Sequence, residues 1–310
     1  MHPTRKQILT TIAERPTSGP DLAAELEISR AAVWNHVEGL REDGFEIESQ
    51  SDGYTLAGIP DYGGPALEYG LDAPLEIEYH DEIDSTNERA RTLADDGHSD
   101  VVVVADRQTG GRGRLDREWA SPSGGIWLSL LSRPDIPPAS APLYTLVAAV
   151  AAARAARDAG VDATIKWPND VRVGDRKLAG ILTEMEGEAD RISWLVVGIG
   201  LNANVDPEDL PGDQPATSLQ SEVGAVDRRA VAQTLLEEFW TLSTVDAEEI
   251  MAAWRELAST LGQRVRVETP RETVVGEAVD IKAPGTLVVE TEDGLREITA
   301  GDCDHLRPAE

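Results

Sequence analysis

Glycines and arginines crowd the segment Gln108-Thr109-Gly110-Gly111-Arg112-Gly113-Arg114, and Arg117 and Trp119 follow closely. Glycine lets a backbone approach an anion and adopt positive φ. Successive N–H groups can then form a nest for a phosphate or carboxylate. Arg112 and Arg114 add planar, permanently charged forks that match such groups. The GxxxxGK[ST] spacing of a P-loop is missing. A solvated surface turn has the same composition, but three arginines within six residues stand out in a chain this acidic.

A second group is Lys166-Trp167-Pro168-Asn169-Asp170, followed by Arg176-Lys177-Leu178-Ala179-Gly180. Pro168 favours an extended Trp167, and Asn169 and Asp170 favour a tight turn. Gly174-Asp175 reads as a hairpin turn that carries Lys177 back alongside Lys166 on an adjacent strand. The chain has only four lysines, so this pair would concentrate positive charge; the alternative is a hairpin of ion-paired lysines. A third group, Gly198-Ile199-Gly200-Leu201-Asn202-Ala203-Asn204, mimics a GxGxxA dinucleotide fingerprint. That fingerprint must open a helix, whereas Asp206-Pro207 follows at once. Asn202 and Asn204 are read instead as hydrogen-bonding groups for a ligand, the alternative being a bulged strand end. Asp84-Ser85-Thr86-Asn87-Glu88 reads as a helix cap with a run of small donors. No HExxH, GxSxG or Cys/His pair accompanies these groups. Cations and amides without a nucleophile suit a reaction in which the substrate's own carboxylate attacks phosphorus while the protein positions and neutralises.

The elements that must position these groups can be read along the chain. Its 310 residues, 41 % hydrophobic, suffice for two or three domains. Residues 1–60 read as a winged helix-turn-helix: a helix through Ile8, Leu9 and Ile12, a short helix after Ser18, a third capped by Ser29 with Val33, Val37 and Leu40 inward, then a hairpin turning at Ser51-Asp52-Gly53. Residues 61–74 are rich in Gly, Pro and Asp and read as a linker. Residues 75–260 read as a mixed α/β core with a buried strand at Val101–Ala105 and an Ala-rich helix from Tyr144. Residues 261–310 read as short strands turning at Gly276, Gly285, Asp293-Gly294 and Gly301, a small SH3-like barrel.

The net charge of −29 is spread evenly, with 5 basic against 10 acidic side chains in residues 1–60. Concentrated salt would screen such self-repulsion, so the expected setting is a high-salt cytoplasm. The single cysteine, Cys303, excludes an internal disulfide and a cysteine-based zinc site. The longest apolar run, Leu143 to Ala153, is shorter than the about 20 residues of a membrane span, and the N-terminus leads into no apolar segment; a soluble protein off the membrane is expected.

Together, Gly111-Arg112-Gly113-Arg114 with Arg117 and Trp119, Lys166-Trp167-Pro168-Asn169-Asp170 with Lys177-Leu178-Ala179-Gly180, and Gly198-Ile199-Gly200-Leu201-Asn202 closely resemble the biotin protein ligases. Ser29-Arg30-Ala31-Ala32-Val33 and Gly53-Tyr54-Thr55-Leu56 resemble the winged helix of the bifunctional form, which also acts as the biotin operon repressor. The resemblance implies an α+β multidomain protein: winged helix, ligase core of the class II synthetase type, SH3-like C-terminal domain. It implies that biotin and MgATP give biotinyl-5′-adenylate, whose biotin passes to a lysine of a biotin carboxyl carrier protein. On this resemblance Ser85, Thr86 and Gln108 hold the biotin rings, with Asn87, Gly111 and Gly113 nearby. Arg112 and Arg114 lie on a loop that closes over the adenylate, with Trp119 packed beside it. Lys177, in the KLAG run with Gly180, meets carboxylate and α-phosphate. Lys166, Asn169 and Asp170 lie toward the ATP phosphates, Asp170 as the Mg²⁺ contact, and Asn202 meets the adenylate. Thr217-Ser218-Leu219 resembles the segment near the adenine. Ser29, Arg30 and Asn35 would read operator DNA in a homodimer formed on adenylate binding. Competing readings are a non-catalytic biotin-sensing transcription regulator, against which Lys177, Arg112 and Arg114 are all retained, and a related lipoate or octanoyl ligase.

Overall fold

The computed structural model describes residues 1–188, 190–210 and 215–306; residues 307–310, the end of the expected C-terminal domain, lie outside the described residues. The chain divides into two compact units, Met1–Leu71 and Asp72–Glu310.

The first unit is built from helices α1 (Pro3–Glu14), α2 (Gly19–Glu25) and α3 (Arg30–Glu42), a hairpin of β1 (Glu46–Gln50) and β2 (Gly53–Gly58), and the short α4 (Gly64–Glu68). Each cap expected from the sequence forms: Ser18 Oγ accepts from the Asp21 N–H, and Ser29 Oγ from the Ala32 N–H. Such caps satisfy amides that the first helical turn leaves without a partner. Ile8, Leu9, Ile12, Leu22, Val33, Val37, Leu40, Phe45 and Ile47 form one core. That inward set leaves Ser29, Arg30, Trp34 and Asn35 exposed on one side of α3. The stretch expected to be a linker is partly helical: α4 buries Ala66 and Leu67, and the Tyr69 ring meets Phe45 edge-on at 5.8 Å.

The second unit contains a seven-stranded sheet. It comprises β3 (Glu76–Ile83), β4 (Val101–Gln108), β5 (Ile126–Ser132), β6 (Thr164–Lys166), β7 (Asp170–Val173), β8 (Arg176–Gly187) and β9 (Ile192–Leu201), ordered β3-β4-β5-β9-β8-β7-β6. Only β3 and β4 run parallel, joined by α5 (Thr86–Asp95); the other neighbours are antiparallel. The helices α6 (Pro142–Asp158), α7 (Leu219–Val223), α8 (Arg228–Ser243) and α9 (Ala247–Leu257) complete this part. Successive β8 side chains point to opposite faces. Thr183 meets Thr145 of α6 at 2.8 Å, whereas Glu184 accepts a hydrogen bond from Asn87 of α5. Helices α6 and α5 therefore cover opposite faces. Because α5 packs mainly on β4, β5 and β9, the rest of its face is left open. Residues 138–158 are long and apolar enough to cross a membrane by length and composition, which the apolar run alone did not suggest. In this fold α6 is a core helix with Leu146 to Ala153 all buried.

Two expectations need correction. Lys166 and Lys177 are not on adjacent strands. The Trp167–Asn169 turn opens β7, which lies between β6 and β8, so Lys177 pairs in register with Arg172. Gly276 is not a turn but the middle of a strand, where a Cβ would overlap the Glu290 carbonyl. The C-terminal strands β10 (Arg264–Glu268), β11 (Thr273–Lys282), β12 (Thr286–Thr291), β13 (Gly294–Ile298) and β14 (Asp302–His305) form one antiparallel sheet ordered β13-β12-β11-β10-β14. It is fixed to the core by Trp167, whose backbone N–H donates to Thr260 Oγ1 and whose indole N–H donates to the Gly285 carbonyl, both at 2.9 Å.

Candidate active site

The open part of the α5 face forms a cavity of about 970 Å³. Its floor is made of glycines. Gly180 on β8 and Gly200 on β9 are register partners, and the Trp119 indole lies over both: a Cβ on Gly180 would sit 3.0 Å from the ring, and one on Gly200 would overlap it. Gly198, one residue pair along on β9, leaves room for Asn87 in the same way. The GxG spacing is thus neither a dinucleotide fingerprint nor a bulged strand end. It places bare backbone beneath two side chains in a continuous strand. Gly200→Ala is expected to overpack this floor by about 1–3 kcal/mol, lowering Tm by several degrees and perturbing Trp119 fluorescence; a thermal scan with fluorescence detection checks it.

The arginine loop is a small hairpin. Arg112 and Glu118 face each other in an antiparallel backbone bridge, the Gly113 N–H donates to the Arg117 carbonyl, and the Trp119 N–H donates to the Gly111 carbonyl. None of Gly110, Gly111 and Gly113 has positive φ, which falls instead on the exposed Leu115 (φ 56°) at the tip. The N–H groups of Gly110 and Gly113 are committed within the protein, to the Asp84 and Arg117 carbonyls. The glycines serve close approach: a Cβ on Gly111 would overlap the Trp119 carbonyl. Of the expected ligand groups, Gly111, Asn204 and Thr217-Ser218-Leu219 do not line the cavity; the other expected substrate-binding residues, with Lys177, Arg112 and Arg114, all do.

Cations gather on one side. Lys177 Nζ lies 2.6 Å from Asp170 Oδ1 and 5.1 Å from the Trp119 ring centre, a cation–π distance. The Lys166 side chain is only 7 % exposed, yet its ion-pair partner, Asp304 Oδ1, lies 3.5 Å away. A buried ammonium this loosely compensated favours an additional anion. Arg114 donates to Asn169 Oδ1 (2.9 Å) and to the Gly301 carbonyl (3.0 Å), and lies 3.6 Å from Asp302. Arg117 pairs with the same Asp302 at 2.7 Å. The opposite end is hydroxyl-rich, with Ser85 and Thr86 at the start of α5 and Gln108 at the end of β4, and its charges neutralise one another in pairs: Arg112 lies 3.5 Å from Glu88 and Arg91 3.4 Å from Glu184. Trp119 Nε1 and Asn202 Oδ1 are buried and have no hydrogen-bond partner among the described residues, and both residues line the cavity. Buried polar atoms left bare in this way mark positions a ligand can satisfy. Asn204, by contrast, is committed to the backbone of Val226 through both ends of its amide.

Sequence reasoning missed Asp302, Cys303 and Asp304 of β14, and also Glu184, as cavity residues. Alternation along β8 from Gly180 would have pointed to Glu184; nothing local points to β14. Burial pushes the Cys303 thiol up to about 12, so it is no nucleophile at neutral pH.

Residues 79–202 match the biotin/lipoate A/B protein ligase family, residues 260–306 the biotin protein ligase C-terminal domain, and residues 4–55 a helix-turn-helix domain. Over 302 residues, 93 % of each chain, the protein is 37 % identical to the bifunctional ligase/repressor BirA of Bacillus subtilis. This chain belongs to the biotin protein ligase family. The Escherichia coli BirA is 31 % identical over 94 % of each chain. A solved structure of the Aquifex aeolicus biotin protein ligase in complex with biotin and ATP superimposes with a TM-score of 0.63 at 28 % identity, covering 74 % of this chain and 99 % of that one. The family membership accounts for a site with cations at one end, hydroxyl and amide groups at the other, and no nucleophile between.

Proposed function

We propose that the protein joins biotin to ATP, giving biotinyl-5′-adenylate and pyrophosphate, and then transfers biotin to a lysine of a biotin carboxyl carrier protein. The observation that carries this is the polarity of one cavity, with Lys166, Lys177 and Arg114 around its charged end and Ser85, Thr86 and Gln108 at its neutral end, where Arg112 is paired with Glu88. In this reading the rings of biotin lie at the neutral end, which turns the carboxylate toward Lys177. Lys177 then neutralises charge that builds between carboxylate and α-phosphate, stabilisation strongest in the transition state. Arg114 and Arg112 close over the adenylate, and Lys166 takes the phosphate that its loose partner Asp304 leaves room for. Asn202 Oδ1 and Trp119 Nε1 gain partners from the bound adenylate. Asp170 would hold Mg²⁺ together with the nucleotide phosphates, since Mg²⁺ commonly takes one or two carboxylates plus phosphates and water. Among the described residues, no group of three His, Cys, Asp or Glu side chains forms an all-protein metal cage.

The C-terminal sheet is read as an SH3-like barrel and the core as a class II synthetase-type fold. The division into 1–60, 75–260 and 261–310 is supported by the family matches to 4–55, 79–202 and 260–306, while residues 61–71 belong to the first compact unit. The exposed Ser29, Arg30 and Asn35 on α3 support a second activity, operator binding by an adenylate-dependent homodimer. A cytoplasmic, salt-rich setting fits the even acidic surface.

The test is incubation with biotin, ATP and Mg²⁺ and mass detection of biotinyl-adenylate. Omission of biotin must abolish the product. A protein that binds both substrates and yields no adenylate is a sensor and not a ligase.

A further inference from the structure

The neutral end of the cavity is one proton short. Ser129 Oγ, on β5 beneath α5, lies 2.6 Å from Asn87 Oδ1 and 2.7 Å from Thr86 Oγ1. Thr86 Oγ1 in turn lies 3.0 Å from Gln108 Oε1, which already accepts from the Thr86 N–H at 2.8 Å. Gln108 is held the right way round by its own Nε2, which donates to Ser121 Oγ at 2.9 Å. Three oxygen–oxygen contacts therefore share the two hydroxyl protons of Ser129 and Thr86. One contact must go without.

Glu184 decides which one. Its ionised carboxylate can only accept, and it accepts from Asn87 Nδ2 at 2.7 Å. Arg91, 3.4 Å from Oε1, holds that carboxylate in place. Asn87 is therefore barred from turning its amide over, and its Oδ1 faces Ser129. A Cβ at position 198 would overlap that oxygen, so glycine there keeps the seat open. Ser129 is almost fully buried, and its single proton goes to Asn87. The missing hydrogen is thus pushed to Thr86, whose hydroxyl must serve both Ser129 and Gln108 with one proton. Thr86 and Asn87 line the cavity, and Ser129 lies behind them.

We infer that Glu184 is a positioning residue for the ligand's N–H group: acting through Asn87 and Ser129, it leaves Thr86 Oγ1 and Gln108 Oε1 as paired acceptors that one ligand N–H completes. This rests on the proposed biotin ligase reading, in which that donor is a ureido N–H of biotin. Free carboxylates, esters and ethers have no such hydrogen, so the same device selects against them.

Glu184→Gln makes a prediction opposite in sign to that of a structural defect. With an amide at 184, Asn87 can turn over and donate to Ser129, Ser129 to Thr86, and Thr86 to Gln108. Every contact is then satisfied without ligand. The variant should keep or raise the Tm of the free protein, while the Kd for biotin rises about fivefold to tenfold, the size of one hydrogen bond. Adding Asn87→Asp moves the accept-only carboxylate one step along the chain. It again forces Ser129 to donate outward, so the double variant Glu184→Gln/Asn87→Asp should return biotin affinity to within about twofold of wild type, a non-additive result. Titration calorimetry with biotin on the full chain, with a thermal scan of each variant, reads all of this. Ser129→Ala removes the contested contact and should weaken biotin as Glu184→Gln does, which decides the matter should the double variant not fold. Unchanged biotin affinity in both Glu184→Gln and Ser129→Ala overturns the inference, as does a folded double variant that binds no better than Glu184→Gln. A wild type that binds no biotin overturns the functional reading and this inference with it.

Discussion

Lys177→Ala is expected to lower the rate of adenylate formation about 10²–10³-fold, the loss typical of removing one preorganised charge-stabilising donor. Two features of the site set this size. The Lys177 side chain lies against Gly180 on the glycine floor, with Nζ 5.1 Å from the Trp119 ring centre, so its position is fixed before substrate arrives. It also compensates Asp170 at 2.6 Å. Its removal leaves a bare carboxylate, 15 % exposed, facing incoming phosphates. The ATP KM should therefore rise as the rate falls. Lys177→Arg should recover only part of the activity, because a planar fork cannot occupy the place of a compact ammonium above an indole and beside Gly180. Biotin-dependent exchange of pyrophosphate into ATP measures both quantities. An alanine variant with near-normal exchange removes Lys177 from the mechanism.

The chain announces its local structure where one signal suffices. Ser18 and Ser29 stand immediately before apolar periodicity, and both cap helices as expected. The continuous run Val101–Ala105 is a strand buried on both faces. What stayed hidden is what depends on partners distant in sequence. Strand β7 has only four residues, with no alternation long enough to read, and it separates the two lysines that a simpler hairpin would have joined. Gly276 looks like a turn residue because glycine usually marks turns, and Gly198 and Gly200 look like a fingerprint or a bulged strand end. Here they sit mid-strand, where a neighbouring backbone or side chain occupies the space of a Cβ.

The site was legible as a set of residue types but not as a circuit. Arg112, Arg114, Lys166 and Lys177 could be singled out because cations are scarce in this chain. Their counter-charges could not. Asp302 and Asp304 are two of many acids, and only the strand β14 brings them against Arg114, Arg117 and Lys166. Trp34, 56 % exposed on α3, was unremarked because a tryptophan at helical spacing normally faces the core.

Operator binding, in the proposed second activity, should depend only weakly on salt, and the first unit itself says why. Of its cations, Arg5 pairs with Asp43, Arg15 with Glu25 and Arg41 with Glu38, and Lys6 donates to the Leu71 carbonyl. Among the described residues, Arg30 alone of these has no such partner, and it sits exposed at the start of α3 with Asn35 and Trp34 one turn on. Each phosphate neutralised contributes about −0.9 to the slope of log K against log salt. A dimer with one such cation per protomer should therefore show a slope near −2, far shallower than the slope of about −5 to −9 for proteins making 6–10 phosphate contacts. Affinity must then come from base edges. Arg30 and Asn35 offer bidentate groups for guanine and adenine, and Trp34 offers apolar surface for a thymine methyl. Arg30→Ala should cost about 1–3 kcal/mol at each half-site, felt twice on a palindrome, so affinity falls roughly 30-fold or more. Fluorescence anisotropy on the DNA upstream of this protein's own gene, with biotin and ATP present and KCl raised from dilute to concentrated, gives the slope and the loss together. A slope beyond −5 would mean that the paired arginines let go of their carboxylates to meet phosphate. Adenylate-independent or absent binding would leave α3 with a packing role alone, since its inward residues Val33, Val37 and Leu40 hold the core whether or not its outward face meets DNA.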